Sequence, residues 1–351
     1  MAEKAIRLGG ESTADAIVCA VDAMYTEHTF AEKDFALKHN EDEISVDTNF
    51  AAQNFWKEAL FRFFNKKSAV LGLVLIVIIV LLAVLGPGMN SYTYSGQDLS
   101  QKNFAPRVPG IEQFGILDGS EKISTTTGTK VTTANQEKAT LDVYYWFGSD
   151  LYGRDIWTRT WEGARVSLII AVAAAIIDMV IGMSYGLISG YFGGRVDMVM
   201  QRFLEVANGI PRLVIVTLLL LVLQPGMVTI IFALMLTEWV GMSRIARAEM
   251  LKLKDQEFVL ASRTLGAGSF FIIFKEVLPN IIGPIITQVM FSIPTAIFTE
   301  AFLSFVGLGI PVPQCSLGSL ISELYNSFTT HPYEIIPPIV VKSLQMLSFN
   351  L

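Results

Sequence analysis

The run AVLGLVLIVIIVLLAVLG, from Ala69 to Gly86, constrains the fold more than any other stretch. It holds no charge and has about the length that a bilayer core demands of a helix. It therefore reads as a membrane span. No small-residue cleavage pattern follows it, and the residues ahead are mixed and acidic, so a retained anchor is expected rather than a leader peptide. Lys66 and Lys67 stand just before the run. By the positive-inside rule they place the N-terminus in the cytoplasm.

The composition agrees with several spans. Of 351 residues, 52% are hydrophobic and 17% charged, too apolar a balance for an ordinary soluble domain. A net charge of −6 without a dominant basic face argues against nucleic acid as the main partner. Cys19 and Cys315 are expected on opposite sides of the membrane, which speaks against a disulfide. The three histidines, His28, His39 and His331, lack metal-ligand spacing, so no metal site is expected.

Further apolar runs cover about Ser167–Tyr191, Phe203–Leu223, Met227–Ile245 and Ile281–Phe302, and a sixth lies in EIIPPIVVKSLQMLSFNL. The expected fold is an all-α membrane protein with six transmembrane helices and both termini cytoplasmic. The domain reading is a cytoplasmic segment 1–50, an interfacial amphipathic helix 51–67, the first span 68–86, an external insertion 87–150, and a transmembrane core 151–351. The amphipathic helix sets Phe55, Leu60 and Phe64 beside Lys57 and Arg62, suited to the surface of membrane lipid. The insertion is long for a bare connection, and KVTTANQEKATLDVYYWF gives weak support for a small strand-rich lobe. With Arg212 and Arg244 counted toward the inner ends of their runs, seventeen of the 26 Lys and Arg fall in the N-terminal region and the two internal loops.

Three features within the core invite a functional reading. Gly182, Gly186 and Gly190 recur every fourth residue on one helix face, the small-residue pattern that lets membrane helices approach closely. Asp178 lies one turn away, near the middle of its span. It reads either as a pathway group or as a buried carboxylate bonded to a neighbouring helix. The stretch EFVLASRTLGAGSFFIIFKEVLPN, inside the cytoplasmic loop 250–280, is too charged to cross the membrane and rich in Phe and Ile for a solvated loop. It predicts two short helices meeting at a glycine hinge. Gly266 and Gly268 end the first, Ser269 caps the second, and Phe270, Ile273, Phe274 and Val277 share a face. A surface of that kind suits docking.

The spacing of Ala261, Ser262, Gly266 and Leu278-Pro279 resembles the "EAA" signature of ABC-transporter importer permeases. The chain is similar to the second membrane subunit (OppC- or DppC-like) of the oligopeptide/dipeptide subfamily. RFFNKKSAVLGL, WFGSDLYGRDIWTRTWEGARVSL, GLISGYFGGRVD, EFVLASRTLGAG with VLPN, and TEAFLSFVGLGIPVPQ carry the resemblance in order, from about residue 61 onward. It implies the type I ABC importer permease fold, paired with a homologous permease. Two ATPase subunits would lie beneath, and a peptide-binding protein would dock outside. It implies that Glu257, Ala261, Ser262, Arg263, Leu265 and Gly266 meet the ATPase, while Leu278 and Pro279 start span five. Arg154 and Asp155, in YGRD, fall at the outer mouth as a pair that orients the loop or meets the binding protein. Glu300 falls near the outer end of span five, facing the pathway or a partner helix. Leu260 stands where the family has Glu, Lys342 is unexpected in a last span, and the chain stops at SFNL where relatives carry a Gly- and Asp-rich tail.

The chain has no G-x-x-x-x-G-K-[ST], no H-E-x-x-H and no nucleophile elbow. No catalytic residue and no cofactor of its own are expected; ATP and Mg would sit on partner subunits. Two other readings stand beside peptide import. One is a nickel or small-solute importer of the same subfamily. The other is an ion-coupled secondary transporter, for which the internal repeat expected of that class is not visible.

Overall fold

A computed structural model describes residues 55–124, 130–134 and 143–351 of the chain. The expected cytoplasmic segment 1–50 and part of the proposed strand-rich lobe lie outside the described residues. By internal contacts the chain divides into a unit ending at Leu60 and a unit from Phe61 to Leu351. The first helix, α1 (Phe55–Asn65), crosses that division and exposes Leu60, Phe61, Phe63 and Phe64.

The larger unit is a helical bundle. Helix α2 (Lys67–Leu85) continues through a 3₁₀ turn at Gly86–Gly88, where Pro87 removes the next amide donor. Only Gly72, Ile79 and Ala83 of α2 are buried, and Leu71, Val74, Val77, Ile78 and Leu81 face outward. A helix apolar all round is suited to lipid, not water. In the insertion, β1 (Ser120–Ser124) pairs antiparallel with β2 (Lys130–Ala134), with Lys122 opposite Thr132. The strand-rich expectation thus corresponds to one hairpin, and β2 falls inside the stretch that suggested it.

Helix α3 (Ile156–Ile177) begins eleven or so residues before the predicted start at Ser167. Its first turns carry Thr158, Arg159 and Thr160, which read as loop in sequence but are buried. Thr158 and the terminal nitrogens of Arg159 find partners described below, while Thr160 Oγ1 and Arg159 Nε have none among the described residues. A π-turn at Asp178–Gly182 joins α3 to α4 (Met183–Phe192) without breaking the rod. Gly193 and Gly194, both at positive φ, then turn the chain.

The third predicted span is a bent pair. Helices α5 (Gly194–Gly209) and α6 (Arg212–Val222) meet at 74° across Ile210-Pro211. Pro211 cannot continue the hydrogen-bond ladder and disfavours helix in the residue before it. Helices α7 (Met227–Thr237) and α8 (Trp239–Leu253) follow as one long span interrupted at Glu238. A short helix α9 (Glu257–Thr264) leads into α10 (Ser269–Phe271), which passes through a π-turn at Ile272–Val277 into α11 (Leu278–Leu303). The expected second short helix is therefore the beginning of span five, and Pro279 lies within a continuous rod from Ser269 to Leu308. Helix α12 (Leu317–Leu324) and helix α13 (Ile336–Asn350) complete the chain.

Four helical stretches are long and apolar enough to cross a membrane, and the bent pair makes a fifth. Helix α13 runs for 15 residues up to Asn350. The fold is that of a multi-pass, all-α membrane protein. Its main core runs along the seam of α4, α8 and α11, where Leu187, Met242, Ala246, Met250, Ile281 and Ile285 are fully enclosed.

Candidate functional site

The loop between α8 and α11 is short, but firmly seated. Val259 of α9 is buried against Met250, Ile272 and Ile273 in the main core, so α9 moves with the spans beneath it. Gly266 closes α9 at φ +85°, a left-handed conformation that glycine adopts without a Cβ penalty. The Gly266 amide donates to the Arg263 carbonyl (3.1 Å) and the Ala267 amide to that of Ser262 (3.0 Å). These two bonds define a Schellman cap, which satisfies carbonyls that the helix end would leave open.

Leu265, at the tip, is 88% exposed, and Phe258 and Leu260 also face outward. Glu257, Ala261, Arg263 and Gly266 are exposed, while Ser262 and Leu278 are partly covered and Pro279 is open. The structure thus gathers the predicted loop residues into one projecting knob. Glu257 lies in the first turn of α9 and Arg263 in the last, each complementing the helix dipole at its end. Arg263 also lies over the ring of Tyr191, 5.4 Å from its centroid, tying the knob to α4.

Two local expectations change. Gly268, not Ser269, occupies the N-cap of the second helix, and no side chain caps it. The four residues expected on one face are split: Ile273 and Val277 are buried, while Phe270 and Phe274 stack on each other outside, centroids 6.4 Å apart. The π-turn at Ile272–Val277 shifts the helical phase between them.

The glycine face of α4 lies directly on α8. A Cβ built on Gly186 would fall 2.2 Å from the Ser243 carbonyl oxygen; one on Gly182 would meet that of Trp239 at 2.6 Å, and one on Gly190 Met250 Cβ at 2.8 Å. No larger residue fits without parting the helices. Asp178 is buried at the head of this seam and accepts a hydrogen bond from Ser292 of α11.

Glu300 is fully enclosed, and four donors converge on its carboxylate. Lys342 Nζ reaches Oε2 at 2.8 Å, Ser167 Oγ reaches the same oxygen at 3.1 Å, and Ser304 Oγ reaches Oε1 at 2.9 Å; Ser316 completes the set. These groups come from α13, α3, the end of α11 and the N-cap of α12. Lys342, the odd cation of the last apolar run, is thus the partner of the odd anion in span five. Glu300 faces helix neighbours rather than an open path.

Arg154 and Asp155 do not pair with each other. Adjacent residues in extended backbone point to opposite sides, and Asp155, with ψ near 119°, is extended. Arg154 Nε donates to Asp150 (2.7 Å) and its guanidinium also bonds Glu323. Arg159 donates to the same two carboxylates, each at 2.7 Å. Asp155 instead caps α3 by accepting from the Thr158 amide (2.8 Å) and binds Asn90 Nδ2 (2.6 Å). Burial by itself would raise the Glu323 carboxyl, but Arg159 and Arg154 outweigh it and hold it below the usual carboxylate range. Burial also pushes Asp155 above that range, against the bonds from Thr158 and Asn90.

Sequence reading overlooked one polar cluster. Arg212, at the start of α6, donates to Glu238 at 2.8 Å, and both border an open cavity of about 300 Å³. The available signal was a lone acid inside the apolar run Met227–Ile245 and a lone base following Pro211. Among the described residues no group of three His, Cys, Asp or Glu is placed to hold a metal.

Residues 182–351 match the binding-protein-dependent transport system inner membrane component, and residues 54–106 match the N-terminal TM domain of oligopeptide transport permease C. The chain is 39% identical over 297 residues to the oligopeptide transport system permease protein OppC of Bacillus subtilis, covering 85% of this chain and 86% of that protein. The chain belongs to the oligopeptide/dipeptide permease family of ABC transporters. This permease is also 40% identical to the dipeptide transport system permease protein DppC of Lactococcus lactis, over 85% of this chain and 88% of that one. A solved structure, the inward-facing MetNI methionine ABC transporter, aligns with a TM-score of 0.47 at 16% identity, over 55% of the permease and 91% of that chain. The permease and its relatives are transport subunits of the membrane, not enzymes.

Proposed function

We propose that this chain forms half of the translocation pathway of an ATP-driven peptide importer. The observation that carries the reading is the 39–40% identity to peptide permeases along 85% of the chain. The OppC and DppC relatives are named for oligopeptides and dipeptides, which does not favour the small-solute and ion-coupled readings. The membrane is the bacterial plasma membrane, with both termini in the cytoplasm. A homologous permease pairs with this one, two ATPase subunits bind ATP and Mg beneath, and a peptide-binding protein docks outside.

Within that assembly the knob of α9 is the contact with the ATPase. Leu265 supplies the apolar tip, Glu257 and Arg263 the charges, and the small Ala261 and Ser262 a close approach. The Gly266 cap holds the tip at a fixed angle. Because Val259 is buried in the core that also holds α8 and α11, closure of the ATPases displaces these spans as rigid bodies. Leu278 and Pro279 mark the start of span five and transmit that displacement. Arg154 and Asp155 belong to the outer mouth. Asp178 and the glycine seam hold the moving helices together rather than touching peptide.

The test is purification in mild detergent from the native membrane, with stoichiometric partners identified by mass spectrometry. The expected result is a complex with a second permease, ATPases and a solute-binding protein carrying peptide. A chain recovered alone or as a homo-oligomer under every nucleotide condition would overturn the reading. In the reconstituted complex Gly266→Pro, which cannot adopt φ +85°, is expected to leave insertion intact and abolish coupled transport.

A further inference from the structure

The cavity beside Glu238 is built of groups that a lipid-facing surface would not carry. Arg212, Glu238, Arg244, Gln288, Ser292 and Thr295 line it, together with Asn208. Glu238 lies at the break between α7 and α8, ~17 Å along the span from Met227 at 1.5 Å per residue. Gln288 is near the middle of the rod Ser269–Leu308. The cavity is therefore at membrane depth. Arg212 is half exposed there, with 51% of its side chain open, and Arg244 is exposed as well. A cation turned toward hydrocarbon is costly, so charges at this depth face an aqueous path or another protein.

The charge balance selects the ligand. Glu238 answers Arg212, while Arg244 has no hydrogen-bond or ion-pair partner among the described residues. Among the lining side chains one positive charge is left over, and the nearest further acid, Asp178, lies behind Ser292, which donates to it. The N-terminus of α6, at Pro211 and Arg212, borders an adjoining cavity that Asn208 also lines, adding the positive end of a helix dipole. Gln288 and Thr295 add neutral polar groups, and Gly241 keeps the α8 wall low. An anion with a polar neighbour fits this lining, and about 300 Å³ holds the end of a peptide, not the whole of one.

We infer that this cavity is a transit site for the C-terminal carboxylate of a peptide, bound by Arg212 and Arg244, with Glu238 positioning Arg212. The inference rests on the peptide-import reading. It adds that the permease itself, and not only a binding protein, selects for a free carboxyl end.

The experiment uses the complete complex in proteoliposomes and two peptides of one sequence, one with a free C-terminus and one amidated. Rates are corrected for delivery by the binding protein. The wild type is expected to favour the free acid by about tenfold, the size of losing one charge-assisted hydrogen bond. Arg244→Gln and Arg212→Gln are expected to lower the acid rate to the amide rate while the amide rate itself stays as in the wild type. As a second readout, Thr295→Cys places a thiol at an exposed point of the wall. Its modification by a permeant thiol reagent is expected to be slowed by the acid peptide and not by the amide. Equal losses for both peptides, loss of the second permease on purification, or no protection at Thr295→Cys would overturn the inference while leaving peptide import standing. A wild-type complex that moves neither peptide would overturn the import reading, and this one with it.

Discussion

Glu300–Lys342 and Glu238–Arg212 are both acid–base pairs within the helix bundle, and both contacts measure 2.8 Å. Their surroundings differ. Glu300 has no exposed surface, accepts from three serines besides its lysine, and joins four elements. Glu238 is nearly covered, but its arginine is half open to a cavity and the neighbouring Arg244 is unmatched among the described residues. A carboxylate with every lone pair answered is a clamp. A pair with an open cation is available to a third charge. Distance alone does not separate the two; the count of donors and the exposure do.

The strongest way to break this contrast is Lys342→Met, which leaves Glu300 enclosed without its cation. Such losses run to roughly 3–5 kcal/mol, so thermal unfolding in detergent should show a sharp fall. Glu300→Gln added to Lys342→Met should recover much of it, and a double variant as unstable as the single one would mean that the lysine acts otherwise. Next, Gly186→Ala tests a seam that has no charge at all. Its Cβ would press on the Ser243 carbonyl, and overpacking of that kind costs about 1–3 kcal/mol. Unchanged unfolding would show that the helices part freely there.

A third test uses pH at the external network. Glu323 is held below its ordinary value in the folded protein, so its contribution is present at neutral pH and fades as pH falls through the depressed value. Acid should therefore destabilise the wild type below the usual carboxylate range. Glu323→Gln should start about 1.5 kcal/mol lower, the scale of one hydrogen bond to a charged group, and flatten the acid slope. An unaltered slope would remove Glu323 from the network's energetics. The smallest effect belongs to Arg212→Gln, expected to change stability by under about 1 kcal/mol because its charge is half solvated. A loss as large as that of Lys342→Met would erase the distinction between the two pairs.

Much of the helical frame was legible because apolar runs and spans coincide. Ala69–Gly86 falls within Lys67–Gly88, and the fourfold spacing of Gly182, Gly186 and Gly190 does lie on one contact face. Gly266 could be read as a helix stop because left-handed caps favour glycine. The pairing of charges was not legible. Glu300 and Lys342 are 42 residues apart, and nothing local to either names the other. Arg154 and Asp155 are neighbours in sequence, yet the extended backbone sends them to different partners. The π-turns at Asp178–Gly182 and Ile272–Val277 shift helical phase without a residue signature, which is why the aromatic face of the loop was misassigned. Arg212 and Glu238 meet only because the turn at Gln224–Gly226 folds α6 back along α7.

Lys342 also bears on how the chain enters its membrane. A lysine within helix α13 adds about 2.5–3.5 kcal/mol to the cost of inserting it. Such a helix is a poor substrate for a machinery that judges segments one at a time. Glu300, made earlier on the ribosome and already seated in α11, supplies the counter-charge. The order of synthesis thus presents the acid first and the base second, and α13 inserts as the mate of a helix that is waiting for it.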